Sequence, residues 1–146
     1  MRFLTLLSKL KSQRTYRVKK MKKNIFLIDD NIQLTKMMSE FFSLYGFSID
    51  TETDSRKALQ RFNENPDKFD IIITDQTMPG ISGFDLAKKI LDQRPDVPIF
   101  ICTGYNEDID EKKAMSAGIR RFFYKPIDLT TLVDNINAVC EETKVF

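Results

Sequence analysis

The chain is predicted to be an α/β protein, a (βα)5 doubly wound parallel sheet. Two features of the sequence predict this. From Asn24 onward, short apolar runs alternate five times with stretches of helical periodicity, and turn residues separate them. Four of the runs are continuously apolar, the pattern of parallel strands covered by helices on both faces.

The elements follow in order. The first strand, Ile25 to Ile28, leads to a helix with one apolar stripe of Leu34, Met37, Met38, Phe41, Phe42 and Tyr45, closed by Gly46. Phe47, Ile49 and Thr51 then alternate with Ser48, Asp50 and Glu52, which marks a strand exposed on one face and places it at a sheet edge. Asp54 caps the second helix, which ends before Pro66. Ile71 to Ile73 form the third strand. After Pro79 and Gly80, Ser82 with Asp85 three residues on opens the third helix. Pro95 and Pro98 precede the fourth strand, Ile99 to Ile101. The fourth helix, roughly 108 to 117, has the weakest stripe and is expected to be the least firmly packed. Gly118 separates it from the fifth strand, Phe122 to Tyr124. Asp128 then caps a last helix whose stripe is Leu129, Leu132, Val133, Ile136 and Val139. The four continuous runs are expected to be interior or well covered. With right-handed crossovers and the second strand at an edge, the common strand order for such a sheet is 2-1-3-4-5.

Composition bounds what this fold can do. The 146 residues, 42% hydrophobic and 30% charged, suffice for one soluble domain with its own core. There is no histidine, which excludes an imidazole base, a histidine metal ligand and a phosphohistidine. Cys102 and Cys140 lack metal or redox spacing and read as small buried hydrophobes, which fits a reducing, cytoplasmic setting. The net charge of +2 is unevenly spread. Residues 1–23 hold nine Lys and Arg and no acid, leaving 14 basic and 21 acidic residues elsewhere, net −7. An acidic body argues against nucleic-acid binding.

Residues 1–22 are read as a basic tail and residues 23–146 as one domain. The tail's apolar cluster, Phe3, Leu4, Leu6, Leu7 and Leu10, is too short and interrupted for a signal peptide or a transmembrane anchor. Leucines at 4, 7 and 10 suit a brief amphipathic helix on an anionic membrane; a mobile tail ahead of a body starting near Met21, without membrane contact, is preferred.

Ligands of such a sheet bind beyond the carboxyl ends of its strands. Asp29 and Asp30 follow the first run, Asp75 the third after Thr74, Thr103 the fourth after Cys102, and Lys125 the fifth. Two like charges about 4 Å apart repel by roughly 4 kcal/mol at an effective dielectric of about 20, so three gathered carboxylates call for a cation. A hard divalent ion fits oxygen ligands, and magnesium keeps waters that exchange for phosphate oxygens. With Lys125 as a second, fixed positive charge, the edge suits phosphoryl transfer with a carboxylate nucleophile. Plainer readings stand beside these. Asp75 can cap the turn at Met78-Pro79-Gly80, and Asp29 and Asp30 can cap the first helix. Thr103 can be a strand-end hydroxyl, Lys125 a solvated charge and Phe122 a core aromatic.

Taken together, Asp29-Asp30, Asp75 within Ile71-Ile72-Ile73-Thr74-Asp75-Gln76-Thr77-Met78-Pro79-Gly80, Thr103, and Lys125-Pro126 resemble the signature of response-regulator receiver domains, over residues 24 to about 142. The resemblance implies a flavodoxin-like fold and a phosphorylation switch. By it, Asp75 is the phosphoacceptor, and Asp30 and Asp75 ligate Mg2+ with the Thr77 backbone carbonyl. Asp29 does so directly or through water, Lys125 pairs with the phosphoryl oxygens, and Thr103 hydrogen-bonds one of them. Gly104 matches the small residue that keeps the phosphate accessible, and Phe122 matches the switch aromatic. Thr77 and Tyr105 match positions that tune phosphate loss, and Tyr105 is expected to shield the phosphate from water.

The partners implied are a sensor histidine kinase or a histidine phosphotransfer protein, and a downstream protein at the face of the fourth helix, fifth strand and fifth helix. Monomer and phosphorylation-dependent dimer both stay open. The last helix ends near Glu141, so output is expected through a partner, and the chain is read as a signalling module rather than an enzyme. Two alternatives remain. One is a phosphate-independent receiver-like adaptor. The other is an aspartyl-nucleophile phosphatase, which commonly has an acid two residues after the nucleophile, where this chain has Thr77.

Overall fold

The computed structural model describes residues 22–104 and 109–142. The readings given to residues 1–21, to Tyr105 and to the start of the fourth helix at Asp108 lie outside the described residues. Strands β1 (Asn24–Ile28), β2 (Ser48–Glu52), β3 (Ile71–Asp75), β4 (Ile99–Thr103) and β5 (Arg121–Tyr124) alternate with helices α1 (Ile32–Leu44), α2 (Ser55–Glu64), α3 (Gly83–Gln93), α4 (Glu111–Ser116) and α5 (Leu129–Glu142). The strands pair in parallel in the order β2-β1-β3-β4-β5, the predicted class and order.

Side chains alternate across a strand, so the sheet sorts its apolar residues into two layers. Ile25, Leu27, Ile71, Ile73 and Phe100 pack with Met38 and Phe42 of α1 and with Leu132, Val133 and Ile136 of α5. Phe26, Ile72, Ile99 and Ile101 pack on the other face with Phe62 of α2, Leu86 and Ile90 of α3 and Ala114 of α4. The expected caps are formed. Asp54 accepts from the Arg56 and Lys57 N–H groups, Ser82 from Asp85 N–H at 3.1 Å, and Asp128 from Thr130 N–H at 3.0 Å. Both cysteines are buried and free.

Four expectations need correction. In β2 the supposed solvent-facing set, Ser48, Asp50 and Glu52, is half-buried, and Thr51 is the exposed residue. Arg61 of α2 is the cause. It donates to the Thr51 carbonyl at 2.8 Å and pairs with Glu52 at 3.4 Å, while Lys68 holds Asp50 at 3.1 Å. The long basic stems cover the acids. Strand β5, expected to be well covered, is an edge strand with Tyr124 exposed and its other residues half-buried. Its place at the end of the order leaves it one strand neighbour, and the adjoining α4 buries only Ala114. In α1, Met37 and Tyr45 belong to the predicted stripe but are 51% and 50% exposed, while Thr35 is buried. Thr35 enters the core because its hydroxyl donates to the Ile32 carbonyl at 2.8 Å. Finally, the fourth helix, expected over roughly 108 to 117, is shorter among the described residues: α4 spans Glu111–Ser116, with Asp110 as its N-cap and Ala117 as its C-cap.

The first residue of α3 lies against the end of β3. A Cβ on Gly83 would sit 2.1 Å from the Asp75 carbonyl oxygen and 3.0 Å from Gln76 Cα. Backbone atoms at that range cannot yield without moving the strand end. Gly83→Ala is therefore expected to destabilise the domain by about 2 kcal/mol, although Ala is the better helix former. Urea unfolding checks this, and an unchanged midpoint would contradict the close approach.

Candidate functional site

Neighbouring strands β1 and β3 are in register with Ile28 opposite Thr74, so Asp29 and Asp75 emerge level with each other at the carboxyl edge. Both continue the alternation of Leu27 and Ile73 and belong to the face covered by α1 and α5. Asp29 is 4% exposed and Asp75 6%, whereas Asp30 is exposed. Asn31, rather than either aspartate, is the N-cap of α1, accepting from Leu34 N–H at 3.0 Å. Asp29 accepts from Asn31 N–H at 2.9 Å. One carboxylate oxygen from each of Asp29, Asp30 and Asp75 lies within 4.8 Å of the other two.

Lys125 follows β5, two strands away from β3, and reaches back across the edge. Its Nζ donates to Asp29 Oδ2 at 3.1 Å and lies 3.0 Å from Asp75 Oδ1. Burial works against the ammonium charge, but the hydrogen bond to Asp75 and the charges of Asp29 and Asp75 outweigh it. The Lys125 pKa is raised above the ordinary lysine value of 10.5. One ammonium against three carboxylates still leaves an excess of negative charge. The donors are all oxygen, and the side at Asp30 is open to solvent. This is a site geometrically consistent with Mg2+, a hard ion that binds a few carboxylates and retains waters.

Thr103 ends β4 and is fully buried. By strand alternation it shares the opposite face with Ile101, and its hydroxyl donates to the Gly104 carbonyl at 3.3 Å. The Thr103 carbonyl accepts from Lys125 N–H at 2.7 Å. Phe122 packs half-buried on that same opposite face, edge-on to Tyr124 with ring centroids 5.2 Å apart. Thr77 is exposed on the loop between β3 and α3. The fold therefore gathers Asp29, Asp75 and Lys125 on one side of the edge, sets Asp30 at the rim beside Asp54 and Arg56, and places Thr103 and Phe122 on the other side. Beneath the cluster, burial above all pushes the Cys102 thiol up to about 12, so it remains protonated and unreactive. It lines a cavity of about 300 Å³ together with Leu34, Met37, Met38, Pro126 and Ile127.

Three residues near the site escaped the sequence reading. Gln76, directly after Asp75, accepts from Phe84 N–H through Oε1 at 2.8 Å. Gly83 makes the close approach already described. Ser55 pins the loop between them, donating to the Pro79 carbonyl and accepting from Ile81 N–H, both at 3.0 Å. A glycine in the first helical turn behind a serine cap was a visible signal for Gly83, because helix propensity disfavours it there. Ser55 carried none, since its partners lie 24 and 26 residues away.

Among the described residues no helix is long and apolar enough to cross a membrane. Residues 25–137 match the family model of the response regulator receiver domain. The transcriptional regulatory protein CpxR homolog of Haemophilus influenzae is 30% identical over 115 residues, 79% of this chain and 49% of that protein. The chemotaxis protein CheY of Thermotoga maritima is 28% identical over 120 residues, 82% of this chain and 98% of that protein. The crystal structure of a response regulator receiver domain protein from Clostridium thermocellum superposes with a TM-score of 0.80 at 28% identity, covering 84% of this chain and 98% of that one. The chain thus spans about half the length of the first relative and nearly all of the second. With its acidic cluster poised for Mg2+-dependent aspartate phosphorylation, the chain belongs to the response regulator receiver domains, the phosphoacceptor signalling modules of two-component systems.

Proposed function

We propose that this chain is the receiver of a two-component phosphorelay and that Asp75 takes the phosphoryl group from a sensor histidine kinase or a histidine phosphotransfer protein. One observation carries the assignment. Asp29 and Asp75 are both buried and both paired with Lys125, but of the three clustered carboxylates Asp75 is the one that is itself the last residue of the central strand β3, with the Lys125 ammonium 3.0 Å from its oxygen. An Asp75 oxygen bonds to phosphorus as the phosphorus–nitrogen bond of the donor breaks, and the imidazole nitrogen leaves with the bonding pair. Lys125 transfers its hydrogen bond to a phosphoryl oxygen. Thr103 turns its hydroxyl from the Gly104 carbonyl to another, and Phe122 moves inward behind it. Asp29, Asp30, Asp75 and the Thr77 carbonyl would hold a magnesium ion, which would supply positive charge for the phosphoryl oxygens. The readout surface is the face of α4, β5 and α5, where a downstream protein or a second copy docks.

Incubation with Mg2+ and acetyl phosphate is expected to add one base-labile phosphoryl group, seen by intact mass. Asp75→Asn should abolish it. An adduct that survives in Asp75→Asn moves the acceptor elsewhere, and multiple turnovers on varied phosphoesters would favour a phosphatase instead.

Lys125 supports a second prediction. Removing one member of a buried ion pair costs about 3–5 kcal/mol. Because the Lys125 side chain is 31% exposed, solvent screening lowers the expected loss to about 2 kcal/mol. Lys125→Met should thus melt earlier than wild type without divalent ions, and Mg2+ should raise its melting temperature more than that of wild type. Equal Mg2+ responses in thermal denaturation would remove Lys125 from the charge balance of the cluster.

A further inference from the structure

We propose that Gln76 is a positioning residue that holds the phosphoacceptor loop against the N-terminus of α3, setting the geometry in which Mg2+ is bound; the inference rests on the phosphoacceptor reading above. Gln76 makes three hydrogen bonds in three directions. Its N–H donates to the Cys102 carbonyl of β4 at 2.9 Å, its carbonyl accepts from Gly83 N–H at 2.9 Å, and its side-chain Oε1 accepts from Phe84 N–H at 2.8 Å. The first N–H groups of a helix have no partner within it. In α3, Gln76 supplies two of the acceptors and Ser82 supplies a third, for Asp85.

Geometry makes this more than a helix cap. Gln76 is bonded directly to Asp75, and Gly83 packs on the Asp75 carbonyl so closely that no Cβ fits between them. The segment 76–82 is therefore closed at both ends by one residue. Its middle is held by Ser55, and Met78 is buried beneath it. Thr77, whose carbonyl is the proposed backbone ligand, is the next residue along. Without the Oε1 acceptor, the Phe84 N–H loses its partner and Gln76 is held to α3 by a single bond, from Gly83 N–H to its carbonyl. The Asp75 carboxylate and the Thr77 carbonyl then sample more orientations, and the cation binds less tightly. Support behind a metal ligand commonly sets roughly 10–100-fold of metal affinity.

The test compares wild type, Gln76→Met, Gln76→Glu and Ser82→Ala in the full chain. Methionine has similar length and no comparable acceptor; glutamate keeps the acceptor; Ser82→Ala removes a cap from the same helix end without touching the phosphoacceptor. Mg2+ affinity is measured by amide-shift titration without phosphodonor, alongside hydrogen exchange at Phe84 and thermal unfolding. Gln76→Met is expected to bind Mg2+ roughly tenfold more weakly and to exchange faster at Phe84. Gln76→Glu should restore both to within about twofold, the residual reflecting its added charge. Ser82→Ala should lower stability and leave Mg2+ affinity unchanged. If Gln76→Met does not fold, Gln76→Ala reads the same constants. Wild-type affinity in the methionine variant, or equal weakening in Ser82→Ala, overturns the proposal while wild type still takes a phosphoryl group from acetyl phosphate. A wild type that takes none overturns the underlying reading and this inference together.

Discussion

An ammonium shared between two buried carboxylates is the constraint around which this domain is arranged. Lys125 reaches Asp29 and Asp75 only because β1 and β3 are parallel neighbours in register and β5 ends at the same edge two strands from β3. An antiparallel strand in any of these places would put its residue at the far edge. Burial of Asp29 and Asp75 without a cation would cost several kcal/mol, so the fold and the charge arrangement depend on one another. The balance is also incomplete. Two carboxylates share one positive charge and a third is added at the rim, so an excess of negative charge remains as a net attraction for a divalent ion.

The same edge explains why α3 begins where it does. Its first residue is a glycine because the Asp75 carbonyl occupies the space a side chain would need. Thr74 adds to this fixation by donating its hydroxyl to that same carbonyl at 2.9 Å. The Asp75 backbone is thus gripped from the strand side and the helix side, and its carboxylate alone faces the cluster. Positional precision of this kind is what phosphoryl transfer asks of a protein, since the chemistry itself is largely charge neutralisation and alignment.

Legibility in the sequence followed how local the determinant was. Continuous apolar runs and single-residue caps are local signals, and β1, β3, β4, Asp54, Ser82 and Asp128 were all readable from them. The strand-end rule then collected Asp29, Asp75 and Lys125 without a structure, because parallel topology converts chain position into spatial position. What was hidden depended on distant partners. The alternation of β2 was misread because Arg61 and Lys68 arrive from outside it and cover its acids. Met37 and Tyr45 look like core residues on a helical wheel, yet the sheet reaches only Thr35, Met38 and Phe42. The apolar composition of β5 says it is covered, but the strand order leaves it at an edge.

On the proposed reading, the placement of the groups on two faces bears on how a phosphoryl signal would travel. Asp75 and Lys125 lie on the α1/α5 side, while Thr103 and Phe122 lie on the side of α2, α3 and α4. A direct link between the two sides is the backbone hydrogen bond from Lys125 N–H to the Thr103 carbonyl. A charge-assisted hydrogen bond from Thr103 to a phosphoryl oxygen is worth about 1.5–3 kcal/mol, roughly a 10–100-fold shift in a two-state ratio. Inverting a population from 1:99 to 99:1 takes about 5.5 kcal/mol. Thr103 alone therefore cannot throw the switch fully, and re-pairing of Lys125 or binding of the target has to supply the rest. The element that moves most cheaply is α4, six residues long with Ala114 as its buried residue, so it and the adjoining edge strand β5 are where a shift of that size becomes visible to a partner.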